Sequence, residues 1–478
     1  MSTTTSKESA PVISEEYERQ PVPASALKGP GKFWGMYAGE HAAGTEFMIG
    51  PLFLAWGVGA QDLILGLLLG NLMAVLSWRY LCAPIATSAR MTLYYQLEKI
   101  AGVRLVTLYN LANGVLFCFL AGAMITVSAT AVGIPFNMDM PAFGQLMPDS
   151  VLWVVIVAVV GIVISLIAAA GYDVVARFAN AVAPWMVLVF LACIFLALPQ
   201  LGVASLSEFW DAAGERIWVG KEDNRFTFWH IFFFAWFCNA AMHVGMSDLS
   251  VLRYAKKPSY GWASAAGMYI GHFMAWIAAS LLYAVQLSED PTNTAVLPGP
   301  MAWQAAGLAG VVCVIVAGWT TANPTIYRAG LAFQAIMPRQ SRFVVTLIAG
   351  LVATVAGVFP AFAMRLLDFV GIYGTILAPI GAVIFADWYL SKRLGIQPFY
   401  ADRQRVGINL AVLLAWAIPI GVSMYMIFGQ GIFASFFPLP CWIATGLLFL
   451  LLSRVFNRGH VTNDEPAHAA ADGDLPKE

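Results

Sequence analysis

Charge is the scarcest property of this sequence. Asp, Glu, Lys and Arg make up 11% of its 478 residues, against about 25% in a soluble domain. That is too little to cover a water-facing surface, so a soluble globular protein is excluded. Cysteine is sparse too. The six present (Cys82, Cys118, Cys193, Cys238, Cys313 and Cys441) fall in apolar stretches with no C-x-x-C spacing. They read as buried small hydrophobes rather than disulfides or metal ligands. No H-E-x-x-H, no G-x-S-x-G and no paired-carboxylate motif occurs, so an enzyme is not expected. The absence of G-x-x-x-x-G-K-[ST] argues against an ATP-driven pump. The net charge is −1, and no nucleic-acid partner is expected. Residues 1–30 have no apolar core of the kind a signal peptide carries. They read as a disordered cytoplasmic tail, and residues 456–478 read as another.

What remains is apolar. Hydrophobic residues make up 60% of the chain and the mean hydropathy is +0.73. A membrane helix needs about 20 apolar residues, and twelve such spans can be drawn: 33–60, 61–83, 104–133, 150–170, 173–199, 226–250, 259–286, 302–327, 342–359, 364–390, 407–428 and 431–453. Lys and Arg set the orientation. With the N-terminus in the cytoplasm, the outer loops hold only Arg216, Lys221, Arg225 and Arg365, and the other basic residues, Arg328 and Arg342 among them, fall inside. The expected home is a cell (inner) membrane, with both termini cytoplasmic.

Two of these spans are interrupted. The first contains "GEHAAGTEF" (39–47), which sets Glu40, His41 and Glu46 among glycines in the middle of an apolar run. The sixth meets Asn239, His243, Gly245, Ser247 and Asp248. The breaks lie five helices apart, and the chain enters the two spans from opposite sides. That is the mark of two inverted five-helix repeats, whose broken helices offer backbone carbonyls and half-helix ends to ions and polar solutes. The competing reading is that glycines and small polar residues only let helices pack closely. The eighth span adds "VIVAGWTTANPTIY" (314–327), with Ala317, Thr320 and Thr321 on one helical face. Their oxygens suit a hard cation such as Na⁺, although Thr hydroxyls also bond to their own helix four residues back.

Several stretches resemble the nucleobase–cation symporter family of purine–cytosine and hydantoin permeases. These are "GAQDLILGLLLGNLMAVL" (59–76), "TSARM" (87–91), "MSDLSVLRYAKK" (246–257) and "APIGAVIFADWYLSKR" (378–393). The resemblance runs from about residue 30 to 455. It implies an all-α integral membrane protein with the leucine-transporter type of fold: a 5+5 inverted repeat within about twelve transmembrane helices. The repeats would occupy 31–200 and 201–395, with two peripheral helices in 396–455. It also implies a sodium site between helices one and eight, formed by Ala317, Thr320 and Thr321 with helix-one carbonyls from the 41–45 stretch, Ala42 and Thr45 being the candidates. The solute side departs from the family pattern. Helix three, "NGVLFCFLAG" (113–122), puts Leu116 and Leu120 at the family's pocket positions, leaving Asn113 and Phe117 as its polar and aromatic candidates. A helix-six aromatic becomes Asn239, with Trp236 one turn away, and the helix-eight Asn is displaced to Asn323.

The expected solute-binding set is therefore Thr45, Glu46, Asn113, Phe117, Trp236, Asn239 and Asn323. Glu40, His41, Glu46 and His243 are candidates for proton coupling, because a carboxyl in low dielectric holds its proton unless paired. His272 reads as a packed core imidazole. The expected function is secondary active transport: Na⁺- or H⁺-coupled symport of a small nitrogenous solute such as a purine, pyrimidine or related heterocycle. One alternative is a cationic amine or guanidino compound held by Glu46. Another class is a non-transporting membrane receptor. The expected partners are the solute, the coupling cation and the lipid bilayer, with no cofactor beyond Na⁺.

Overall fold

The computed structural model describes residues 16–141, 144–220 and 226–457. Residues 1–15 and 458–478, most of the two expected tails, lie outside the described residues, as do Lys221 and Arg225. Every named element among the described residues is helical. The main ones are α1 (Gly31–His41), α2 (Glu46–Ala55), α3 (Ala60–Ala89), α4 (Leu93–Ala101), α5 (Val103–Val132), α6 (Val151–Ala169) and α7 (Tyr172–Gln200). They continue with α8 (Phe228–Phe237), α9 (Leu249–Leu252), α10 (Pro258–Glu289), α11 (Pro298–Ile336), α12 (Arg342–Gly357), α13 (Leu366–Ala386), α14 (Leu410–Gly429) and α15 (Ala434–Phe456).

Among the described residues nine helices are long and apolar enough to cross a bilayer, and α2, α8 and α12 are shorter apolar helices in the first, sixth and ninth spans. The twelve expected spans are thus all occupied by helix, and the chain is a multi-pass membrane protein. The reason can be read from α6. Val151, Val155, Val159, Ile162 and Leu166 are exposed, while Trp153, Val157, Val160, Ile164 and Ala168 are buried. Both stripes follow the helical period, and both are apolar. Such a helix suits a hydrocarbon solvent, where backbone groups must be satisfied within the segment.

The first and sixth spans are broken where the sequence places polar residues. Residues 42–45 separate α1 from α2, and residues 244–248 separate the turn Ala240–His243 from α9. Each break rests on a glycine. At Gly44 a side chain would meet Val127 Cγ1 at 2.7 Å and the Gly318 backbone nitrogen at 3.1 Å. At Gly381 on α13, an added Cβ would lie 1.7 Å from the Val244 carbonyl oxygen. The broken spans sit inside the bundle: α1 against α7 and α10, α2 against α10, and α8 against α3, while α5 runs along α11.

The eighth span differs from its expected bounds. Gly307 takes φ 55° and ψ −137° inside α11, a conformation suited to glycine. A Cβ on Gly310 would lie 2.0 Å from the Ala302 carbonyl oxygen. The chain therefore doubles back at 307, and residues 298–306 form a short helix outside the span. The spanning part runs on to Ile336, so Arg328, expected in an inner loop, is inside a helix and fully buried. Arg342, expected in the same loop, is also buried, and its guanidinium donates to the Ala169 carbonyl.

The described part of the N-terminal tail is packed. Residues 16–30 cross one face of the molecule, called here the N-terminal face. The Glu16 carboxylate accepts from Tyr327 Oη (2.8 Å) and the Tyr172 N–H (2.9 Å). Arg253 donates to the Tyr17 carbonyl at 2.7 Å, and Lys28 pairs with Asp173 at 2.6 Å.

Candidate functional site

A helix interrupted in a bilayer leaves end carbonyls and N–H groups to be satisfied by something other than the helix. Between the two breaks lies a cavity of about 50 Å³. Its wall takes Glu40, His41, Thr45 and Glu46 from the first span, and Cys238, Asn239 and Met242 from the sixth. Leu120 and Met124 on α5, His272 on α10, Thr321 on α11, and Val370 and Tyr373 on α13 complete it.

Glu46 is the chemical centre of this wall. It opens α2 and is 3% exposed. Its Oε2 accepts from the Trp276 indole N–H. Its Oε1 faces the Thr45 hydroxyl at 3.5 Å and the His272 Nε2 at 3.9 Å. No Lys or Arg pairs with it among the described residues. A buried carboxyl without a cation is costly unless it holds a proton or receives a cationic group. His272, expected to be plain core packing, belongs to this wall. Its ring stacks on Trp276 (4.3 Å, 19°) and meets His41 edge-on at 4.9 Å. Its Nε2 lies 3.2 Å from the Asn239 amide nitrogen. Sequence alone could have flagged it only by the rarity of ionisable residues within a span.

The expected cation ligands converge in part. The Ala317 carbonyl accepts from Thr320 Oγ1 (3.0 Å) and from Thr321 Oγ1 (3.2 Å). The Thr321 hydroxyl also reaches across to the first span, 2.8 Å from the Glu40 carbonyl oxygen. The carbonyl opposite Thr321 is therefore Glu40's, one residue before the 41–45 stretch. The Ala42 N–H ends α1 by donating to the Ala38 carbonyl, and the Thr45 hydroxyl turns to Glu46. Carbonyl and hydroxyl oxygens are the donor chemistry of a hard cation.

The other expected solute residues lie away from the cavity. Asn113 donates to Tyr94 Oη at 3.0 Å. Phe117 packs edge-on against Tyr373 at 5.7 Å, one layer behind the wall. Trp236 donates to Ser77 Oγ (3.1 Å) and stacks on Phe237 at 4.5 Å. Asn323 is fully buried outside the lining. His243 packs on Trp78 at 4.6 Å.

A second cluster was missed by the sequence reading. Arg328 donates through Nη1 and Nη2 to the Glu40 carboxylate, and through Nη2 to Asp248 Oδ1 at 2.6 Å. Asp248 Oδ2 accepts from Tyr37 Oη (2.9 Å) and Trp78 Nε1 (2.7 Å). Arg328 and Asp248 are 0% exposed and Glu40 is 2% exposed. Glu40, one of the proton-coupling candidates, thus sits in a buried ion pair with Arg328.

No protein-family model and no curated protein sequence matches this chain. Solved structures do match its fold. Mhp1, a nucleobase-cation-symport-1 family transporter in a closed conformation with bromovinylhydantoin bound, superimposes with a TM-score of 0.73 at 15% identity, covering 97% of this chain and 99% of its own. The inward-facing conformation of Mhp1 gives 0.66 at 15% identity, covering 94% and 95%. A Na⁺-coupled sialic acid symporter in a substrate-bound outward-open state gives 0.64 at 15% identity, covering 93% and 92%. The shared architecture is the leucine-transporter type, two inverted five-helix repeats followed by two further helices.

Proposed function

We propose that this protein is a cation-coupled secondary transporter that carries a small nitrogenous solute across the cell membrane by alternating access. The observation that carries the proposal is the meeting of two broken spans around one cavity, with Glu46, which no Lys or Arg pairs among the described residues, in its wall. The likeness in fold to Mhp1 and to the sialic acid symporter supports it. So does the cavity's size. Ligand sites usually enclose about 300–1,000 Å³, and one of about 50 Å³ must open to load and unload. The repeats would run over 31–200 and 201–395, with residues 396–455 peripheral and both tails cytoplasmic. Na⁺ would take the Ala317 and Glu40 carbonyls and the Thr320 and Thr321 hydroxyls.

Within the solute class, purines, pyrimidines and related heterocycles are the reading the resemblance suggests. A specific observation favours the second, a cationic amine or guanidino compound. Glu40 and Asp248 share Arg328, while Glu46 has no such partner. The helix-three side of the wall offers Leu120 and Met124 rather than an aromatic ring. Thermal melting of the purified protein against nucleobases, hydantoins, amines, guanidines and amino acids, with and without Na⁺, tests this. A ligand present at a hundred times its Kd should stabilise the protein by about 2.7 kcal/mol. The expected hit is an amine or guanidine whose effect grows with Na⁺ and disappears in Glu46→Ala. Stabilisation by uncharged nucleobases alone would return the site to the heterocycle reading.

A further inference from the structure

We propose that the N-terminal face carries a binding site for one anionic phospholipid, in which Arg79, Lys256 and Lys257 hold the headgroup. α3 sets the depth of the site. Ala60 opens this helix and Arg79 follows it by 19 residues. That is about 28 Å of helix, close to the thickness of the hydrocarbon layer. At this level α3 widens into a π turn over Trp78–Cys82, a distortion often found at functional sites. Two aromatic residues mark the same level. Tyr80 and Trp262 are exposed, and their rings meet edge-on at 6.0 Å. Such rings gather where hydrocarbon gives way to headgroups. The lysines arrive with the chain that follows the broken sixth span. The turn Pro258–Ala263 lies against α3, so that a Cβ on Gly261 would meet Arg79 Cα at 2.9 Å and the Trp78 carbonyl oxygen at 3.2 Å. Lys257 caps that turn, and Lys256 and Lys257 are both exposed.

Among the described residues no carboxylate pairs with any of the three cations. Other basic side chains are paired: Lys28 with Asp173, Arg19 with Glu98 and Lys99 with Asp402. Arg79 makes no hydrogen bond among the described residues. Its Nε is buried without a partner, and its guanidinium leans on the Tyr80 ring at 4.9 Å. A guanidinium has five N–H donors and no acceptor, and a phosphate matches its fork. The occupant is a lipid because an apolar track leads from the cations into the bilayer. Leu65, Leu69 and Leu72 are exposed on the side of α3 that carries Tyr80, as their spacing requires. α10 runs alongside, where Tyr269 Oη donates to the Leu68 carbonyl at 3.1 Å. Cations at headgroup depth above an acyl track are the chemistry of an anionic phospholipid.

Native mass spectrometry of the purified full chain tests this, with phosphatidylglycerol and phosphatidylcholine of one acyl composition as the probes. The first phosphatidylglycerol should bind about tenfold or more tighter than the first phosphatidylcholine. Lys256→Gln/Lys257→Gln changes two exposed side chains and should fold, with an unchanged melting temperature. It should lose most of the preference, and adding Arg79→Gln should abolish it. Lys392→Gln/Arg393→Gln removes two exposed charges elsewhere, at the end of the tenth span, and should keep the preference. Equal binding of the two lipids by the parent protein overturns the proposal. So does a preference that survives in Lys256→Gln/Lys257→Gln. A preference lost equally in Lys392→Gln/Arg393→Gln also overturns it, since only general surface charge would then be at work. Millimolar inorganic phosphate should leave bound phosphatidylglycerol in place, and displacement would assign the cations to a soluble anion instead. The readout needs neither solute nor Na⁺, so its outcome is independent of the transport reading.

Discussion

Thr321 carries more of the proposed cation chemistry than any other side chain, because its hydroxyl touches both spans that form the site. Thr321→Ala should weaken Na⁺ binding about tenfold, close to 1.4 kcal/mol, in calorimetric or flux titrations. An unchanged Na⁺ requirement would favour protons as the coupling ion. Glu46 poses a different question, since its carboxyl either carries a proton or balances a cationic solute. Glu46→Gln mimics the protonated acid. If the residue carries the proton, solute exchange survives and accumulation fails. If it balances a charged solute, binding itself is lost, because an amide cannot offset a desolvated charge. Exchange and net uptake on that one variant separate the two. These residues were visible in the sequence because ionisable and hydroxyl groups in a membrane span stand out against an apolar background. From sequence, His272 reads as a packed core imidazole and Arg328 as an inner-loop residue. An isolated imidazole gives no hint of the stacked Trp276 and Asn239 that place it in the wall, and Arg328 was assigned to a loop because its partners lie about 80 and 290 residues away.

The broken spans show where sequence patterns inform and where they stop. Polar residues and glycines marked both interruptions, and the break at 42–45 falls where "GEHAAGTEF" predicts it. The seats under the breaks were not visible. Gly381 lies in a run that reads as ordinary helix, yet its missing side chain is what admits the Val244 carbonyl. Gly381→Ala would place a methyl group against backbone that cannot turn aside. The expected cost is about 1–3 kcal/mol of overpacking, seen as a lower melting temperature and weaker solute binding. Gly307→Ala, which has open space around it, should lose only the backbone preference, about 1–3 kcal/mol, and should leave the cation site intact. If the two variants were equally harmless in melting and in binding, the break would not depend on its glycine seat. The hairpin at Gly307 also explains why the eighth span was misplaced. Residues 298–306 and the span that follows are both apolar, and hydropathy does not reveal a reversal between them.

Across the protein, the arrangement has one logic. Two inverted repeats bring their broken helices together around a cavity, and the buried Arg328–Glu40–Asp248 cluster and a packed N-terminal segment lie on one side of it. Composition was enough to place the chain in a membrane, since no soluble surface can be built from 11% charged residues. Helix count and the pairing of breaks were enough for the fold. The solute was not legible, because a cavity wall is assembled from six distant segments and its chemistry depends on which side chains turn inward: Asn239 does, while Asn113, Phe117, Trp236 and Asn323 do not. The decisive measurement is accumulation in proteoliposomes. With the solute found by thermal melting on the outside and an inward gradient of the coupling cation, the internal concentration should rise above the external one and collapse when an ionophore dissipates the gradient. A solute that binds yet never exceeds its external concentration under any cation gradient would contradict coupled transport.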